Sequence, residues 1–193
     1  MTRIGIQGAK GSFSESAALQ FVESHQISHF QLDYLISSEN VLSAVENKQI
    51  DIGIFAIENA RGGVVLESIE ALAIHRCTII DRFSILVHQN LIALPGLPIE
   101  AITEIHSHQQ ALRQCQDYLA THFEGLPLIE EDDTAHAAQR LQNGELPKTA
   151  AVIANKACAT LYNLQLLRTD IQDLKNNLTL FLGVTHYEPN DKK

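Results

Sequence analysis

The feature that most constrains the fold is the repeated exchange of two hydrophobic periods along the chain. Residues 3–7 alternate as a short strand, and the loop Gly8-Ala9-Lys10-Gly11 follows. Ser12-Phe13-Ser14-Glu15 fits a capping box that opens a helix to about Ser24. Phe30, Leu32, Tyr34 and Ile36 mark a second strand, and 37–45 a capped helix. The run 51–57 is almost continuously apolar, as expected of a strand buried on both faces. A Gly-containing loop over 58–63 leads to a helix carrying Val65, Ile69 and Leu72. The exchange then repeats. Strands are predicted at 78–87, 104–107, 126–131 and 150–154, and helices at 108–122, 134–142 and 156–162. Two extended runs, 166–173 and 177–184, close the sequence. Such βα alternation predicts an α/β protein with mainly parallel sheets.

Length and charge narrow the function. A chain of 193 residues suits one ordinary domain or two small lobes with ample buried core. No linker or repeat separates lobes. The long strand near 78–90 and the late extended pair are suited to cross between two small sheets, and a cleft between lobes is a natural ligand site. The formal balance of −9 argues against nucleic acid and against a polybasic membrane contact, which need clustered cations. No apolar run approaches the roughly 18 residues of a membrane span. Cys77, Cys115 and Cys158 are widely spaced and odd in number, which predicts reduced, partly buried thiols. A cytoplasmic protein is expected.

Four segments carry candidate chemistry. Gly8-x-x-Gly11-Ser12 joins a strand to a helix, where backbone N–H groups attract anions and Lys10 adds charge. It matches neither a P-loop nor a dinucleotide fingerprint. Glu58-Asn59-Ala60-Arg61 follows the most buried strand, and ligands bind beyond the carboxyl ends of such strands. His106-Ser107-His108 places two imidazoles on one strand face. No third ligand sits at matching spacing, so no metal is expected, and Ser107 reads as a hydroxyl facing the cleft. The last segment is Asn177-Leu178-Thr179-Leu180-Phe181, a polar interruption of an apolar strand.

Together, in this order, these segments resemble the catalytic domain of the prephenate dehydratase family over about residues 3–184. The family's Gly-Pro-x-Gly-Thr-Phe-Ser-Glu is similar to Gly8–Glu15, and its Pro-Ile-Glu-Asn-Ser-x-x-Gly to Ala56–Gly63. Ser-His-Pro-Gln-Ala-Leu is similar to Ser107–Leu112, and Ser-Thr-Ala-x-Ala-Ala to Asp133–Ala138. Thr-Arg-Phe corresponds to Thr179-Leu180-Phe181. The resemblance implies a two-lobed fold like type II periplasmic binding proteins, with an interlobe cleft. It puts one lobe at about 1–78 plus 174–193 and the other at about 79–173, with no regulatory domain. It implies a homodimer and the decarboxylative dehydration of prephenate, a dianion, to phenylpyruvate in phenylalanine biosynthesis, without metal or cofactor. Thr179 takes the catalytic role. Lys10, Ser12, Glu58, Asn59, Ser107, Gln110, Thr134 and Phe181 are the implied substrate-binding positions.

The sequence departs from the pattern at named places. Leu180 stands where the motif has arginine, so a guanidinium suited to a carboxylate is missing, a loss of about 1.5–3 kcal/mol for a charged hydrogen bond. Ala60 and Val64 replace hydroxyls, Gln109 replaces proline, and Asp133 brings an anion that serves equally as a helix cap. Lys10, Arg61 and Lys175 are the cations available to compensate. Two alternatives stay open on these departures: a non-aromatising prephenate decarboxylase, and an inactive relative that binds a small molecule.

Overall fold

The computed structural model describes residues 1–189. Its strands form two mixed sheets, and the described chain divides into two units, one of residues 1–9, 14–85 and 178–189 and the other of 10–13 and 86–177.

In the first unit, β1 (Thr2–Ile6) lies between β2 (Phe30–Tyr34) and β3 (Ile52–Asn59), parallel to both. The last strand, β11 (Leu178–His186), runs antiparallel to β3 and separates it from β5 (Cys77–Leu86). Of the loop expected over 58–63, Glu58 and Asn59 extend β3, and Gly63 joins Val64 in a short strand β4 (Gly63–Val64) folded back on β3. The helix α1 (Phe13–Ser24) covers one sheet face, since a Cβ on Gly183 would fall 2.7 Å from the Phe21 ring. Its neighbours in β11, Leu182 and Val184, point the other way, into a core with α2 (Ser38–Glu46) and α3 (Leu66–Ile74). The nearly unbroken apolar stretch of β3 is explained by that double covering.

The second unit has the order β10 (Gln165–Arg168), β6 (Asn90–Ala93), β9 (Ala150–Ala154), β7 (Glu104–His108), β8 (Leu128–Glu131). Its β7 is parallel to both neighbours, whereas β6 is antiparallel to β9 and β10. The expectation of mainly parallel sheets therefore fails in both units. Strands that enter without a crossover helix before them are free to run backwards. The helix expected over 108–122 is two, α4 (Gln109–Gln114) and α5 (Gln116–His122). Asp173 causes the break: its carboxylate accepts from the N–H groups of Asp117 and Tyr118 and so gives α5 an N-terminus of its own. Both helices pack into a core of Leu91, Ile105, Leu112, Cys115, Leu119 and Ile153. Next, α6 (Thr134–Gln142) begins at Asp133, whose Oδ1 accepts from Ala135 and His136 N–H at 2.8 and 2.9 Å. That residue is a cap. A short α7 (Lys156–Leu161) follows β9.

Candidate functional site

The catalytic candidate is built by a β-bulge. In the lower part of the β3–β11 ladder, Ile54 faces Gly183 and Ala56 faces Phe181. Continued unchanged, that register would set Glu58 opposite Thr179. A shift between Leu180 and Phe181 advances β3 by one residue, so Asn59 meets Thr179 and Glu58 meets Leu180. The exchange matters chemically. A carboxylate beside Thr179 would accept its proton, whereas the Asn59 amide donates to Thr179 Oγ1 at 2.8 Å and leaves the hydroxyl proton to be given elsewhere.

Asn59 is held firmly enough for that task. Its Nδ2 also donates to the Leu178 carbonyl at 3.3 Å, and its Oδ1 accepts from the N–H groups of Arg61 and Gly62 at 3.0 and 2.8 Å. The residue is 2% exposed and Thr179 8%. Phe181 lies on the Thr179 face of β11 but is enclosed, stacked on Phe83 at 5.9 Å, and packs the layer beneath α1. Glu58 is exposed on the opposite face, between Leu180 and Val64.

The remaining candidates belong to the second unit. The loop 10–13 lies against α6 and α7: Tyr162 donates its hydroxyl to the Lys10 carbonyl at 3.0 Å, and Asn155 Nδ2 reaches the Ser12 carbonyl at 3.5 Å. Gly11, at φ 87°, packs so closely that a Cβ would fall 3.0 Å from Cys158 Sγ and 3.9 Å from the Ala135 Cβ. Ser12 and Thr134, both buried, are thereby brought to one end of α6. Lys10 is exposed. Gln110 stands half-buried in the first turn of α4, its N–H bonded to the His108 ring. Ser107, read from the sequence as a hydroxyl facing the cleft, is fully buried and donates to the Ile153 carbonyl at 2.6 Å.

His106 and His108 do not act as a pair. His106 is clamped between Glu104 and Glu131, each at 2.8 Å, and Arg140 contacts Glu131 at 2.5 Å. Burial works to raise the Glu131 carboxyl; the His106 and Arg140 contacts outweigh it and hold the group below the ordinary carboxylate value. Among the described residues no cluster of three or more His, Cys, Asp or Glu side chains is arranged to hold a metal. The sequence reading missed a buried amide network. Gln89 Nε2 and Asn177 Nδ2 both donate to Gln114 Oε1, and Gln172 Oε1 accepts from the Gln89 N–H. Its signal was available as glutamine and asparagine set among apolar neighbours.

The prephenate dehydratase family model matches residues 4–189. The chain belongs to this family. Arogenate dehydratase 2 of Petunia hybrida is 34% identical over 183 residues, covering 93% of this chain and 44% of its own length. The chloroplastic arogenate dehydratase/prephenate dehydratase 6 of Arabidopsis thaliana is 35% identical, with 93% and 42% covered. The chain thus spans less than half the length of these curated relatives. Among solved structures, prephenate dehydratase from Arthrobacter aurescens in complex with L-Phe superposes with a TM-score of 0.87 at 23% identity, over 100% of this chain and 63% of that one. A periplasmic substrate-binding protein of an ABC transporter from Coxiella burnetii gives a TM-score of 0.52 at 13% identity, over 94% and 84%. The expected α/β architecture of two sheets, like that of periplasmic binding proteins, is borne out.

Proposed function

We propose that this chain catalyses the dehydratase reaction of its family on prephenate, with Thr179 as the group that meets the leaving hydroxyl. The C1 carboxylate departs as CO2, the electrons of that C–C bond aromatise the ring, and the C4–O bond breaks to release hydroxide. A threonine hydroxyl is too weak an acid to transfer its proton fully at neutral pH. Its service is a hydrogen bond aimed at the oxygen as negative charge develops, strengthened by the Asn59 amide behind it. The observation that carries this reading is the 2.8 Å donation from Asn59 to Thr179, placed by the bulge in a chain of this family. Lys10, Ser12, Gln110 and Thr134 are the proposed contacts for the substrate's carboxylates, and the protein is read as a cytoplasmic homodimer. No helix among the described residues is long and apolar enough to cross a membrane.

The plant relatives named arogenate dehydratases favour a second substrate, the amino analogue of prephenate, for which the same bond changes give phenylalanine. Product analysis after incubation with each substrate tests both readings. Phenylpyruvate from prephenate is expected. Loss of CO2 without an aromatic product would instead assign a non-aromatising decarboxylase. Binding of either compound without turnover would assign an inactive relative.

A further inference from the structure

A cavity of about 360 Å³ lies wholly within the second unit and is lined by none of the residues assigned above to the substrate. Ile99 and Ile102 lead into the start of β7, and Phe123 and Leu126 into the start of β8, whereas Gln110 and Thr134 follow the carboxyl ends of the same two strands. Those four apolar side chains belong to the core around Ile105 and Ile153 or pack against it, so the floor of the cavity is the core itself laid open. Its volume is in the range of small-molecule sites, which begins at about 300 Å³. The polar wall carries opposite charges that do not close on one another. Arg168 lines it with Glu100 and Glu124, all three exposed. Among the described residues the guanidinium forms an ion pair with neither: Nη1 donates to the Leu167 carbonyl at 2.8 Å, and the group lies beside the Tyr118 hydroxyl. Neither carboxylate accepts a hydrogen bond from another described residue. Tyr118 is stacked on His122 with ring centres 4.2 Å apart. Burial raises its hydroxyl above the ordinary 10 against a weaker opposing effect of Arg168, so the group is a donor at neutral pH.

We propose that this cavity binds a free α-amino acid with a large apolar side chain. The carboxylate meets Arg168 and Tyr118, the ammonium meets Glu100 and Glu124, and the side chain lies on the apolar floor. Charge selects this class of ligand. One guanidinium against two carboxylates leaves the wall with a net negative charge, which disfavours a simple anion, and a simple cation would meet Arg168. A neutral apolar molecule would displace water from all three charges and return no hydrogen bond. A zwitterion with both charges on one carbon answers both signs, and the planar guanidinium suits its carboxylate in a two-pronged contact. The assignment is independent of the reaction proposed above.

Isothermal titration of the whole chain with L-leucine and L-phenylalanine tests this. Saturable binding of one molecule per chain is expected. Glycine, N-acetyl-L-leucine and L-leucinamide lack the side chain, the ammonium and the carboxylate respectively, and each should bind about tenfold more weakly or worse. Arg168→Gln, and Glu100→Gln combined with Glu124→Gln, alter exposed positions and should each weaken binding about tenfold or more, with circular dichroism unchanged. Gln110→Ala, among the proposed substrate contacts, should leave it within about twofold. No saturable binding of either amino acid up to about 20 mM overturns the proposal. Binding that withstands the Arg168 exchange, or that falls with Gln110→Ala, overturns the site. Equal binding of the acetylated or amidated analogue overturns the zwitterion. Phenylpyruvate formation, assayed separately, bears on the proposed reaction and leaves each of these results intact.

Discussion

At the scale of residues, the Asn59–Thr179 pair and the Glu58–Leu180 pair lie side by side on opposite faces of the same two strands, and this separates their roles. Thr179→Val keeps the shape and removes the donor. It is expected to lower kcat about 100- to 1,000-fold, the usual effect of deleting a hydrogen bond made to developing charge, with circular dichroism unchanged and partial recovery in Thr179→Ser. Leu180 is a different matter. Its motif counterpart, arginine, would meet Glu58 across the ladder on the face turned away from Thr179. Leu180→Arg is therefore expected to form a cross-strand ion pair of about 0.2–1 kcal/mol and to change kcat/KM less than about threefold. A thermal melt beside a steady-state assay checks both numbers. The sequence showed that an arginine was missing. Which way it would have pointed required the register, because a bulge leaves no mark in hydrophobic periodicity.

Elements were legible wherever a local signal stood alone. The buried strand β3, the Asp133 cap and the end of α1 all followed from periodicity and capping chemistry. The division of 108–122 did not, because the anion that caps α5 comes from Asp173, more than fifty residues on. Contacts between elements were hidden for the same reason, and one of them carries a pH dependence. His75, at the end of α3, contacts Glu46 at 2.6 Å and Glu39 at 2.7 Å, both on α2. Hydrogen bonds to Glu46 and then Glu39 raise the imidazole above its ordinary 6.5, against a smaller opposing effect of burial. The folded chain then holds this proton more tightly than the unfolded chain does. The stabilisation is complete below about pH 6.5 and is lost as pH rises through the raised value. Glu46 is shifted the opposite way, below 4.5, chiefly by the His75 hydrogen bond, so its contribution is present above that value and is lost as pH falls through the lowered one. Urea midpoints between pH 5 and 9 should decline on the alkaline side for the natural chain and stay flat through the same range for His75→Gln.

For the whole molecule, sequence order and spatial order part company at the C-terminus. The final strand, β11, is interior to its sheet, hydrogen-bonded to β3 and flanked by β5 on its other side, and it supplies Leu182 and Val184 to the α2–α3 core. Alternation of strands and helices announced an α/β protein but gave no reason to insert the last strand between the third and the fifth. That placement makes the first unit discontinuous, whereas the sheet of the second is completed by residues 90–168. Ending the chain at Asn177 should therefore act unevenly. It leaves β3 and β5 with unpaired edges and opens the core around Phe55, so amides of β1 and β3 should lose nearly all their protection from hydrogen exchange. Strands β6, β7 and β9 keep every partner and the core around Ile105 and Ile153, and their amides should stay protected. Exchange followed by mass spectrometry on the truncated and full chains resolves the two sets of peptides. Equal loss in both would mean that the second unit draws its stability from the first; protection kept in both would mean that β11 is an accessory to a sheet able to close without it.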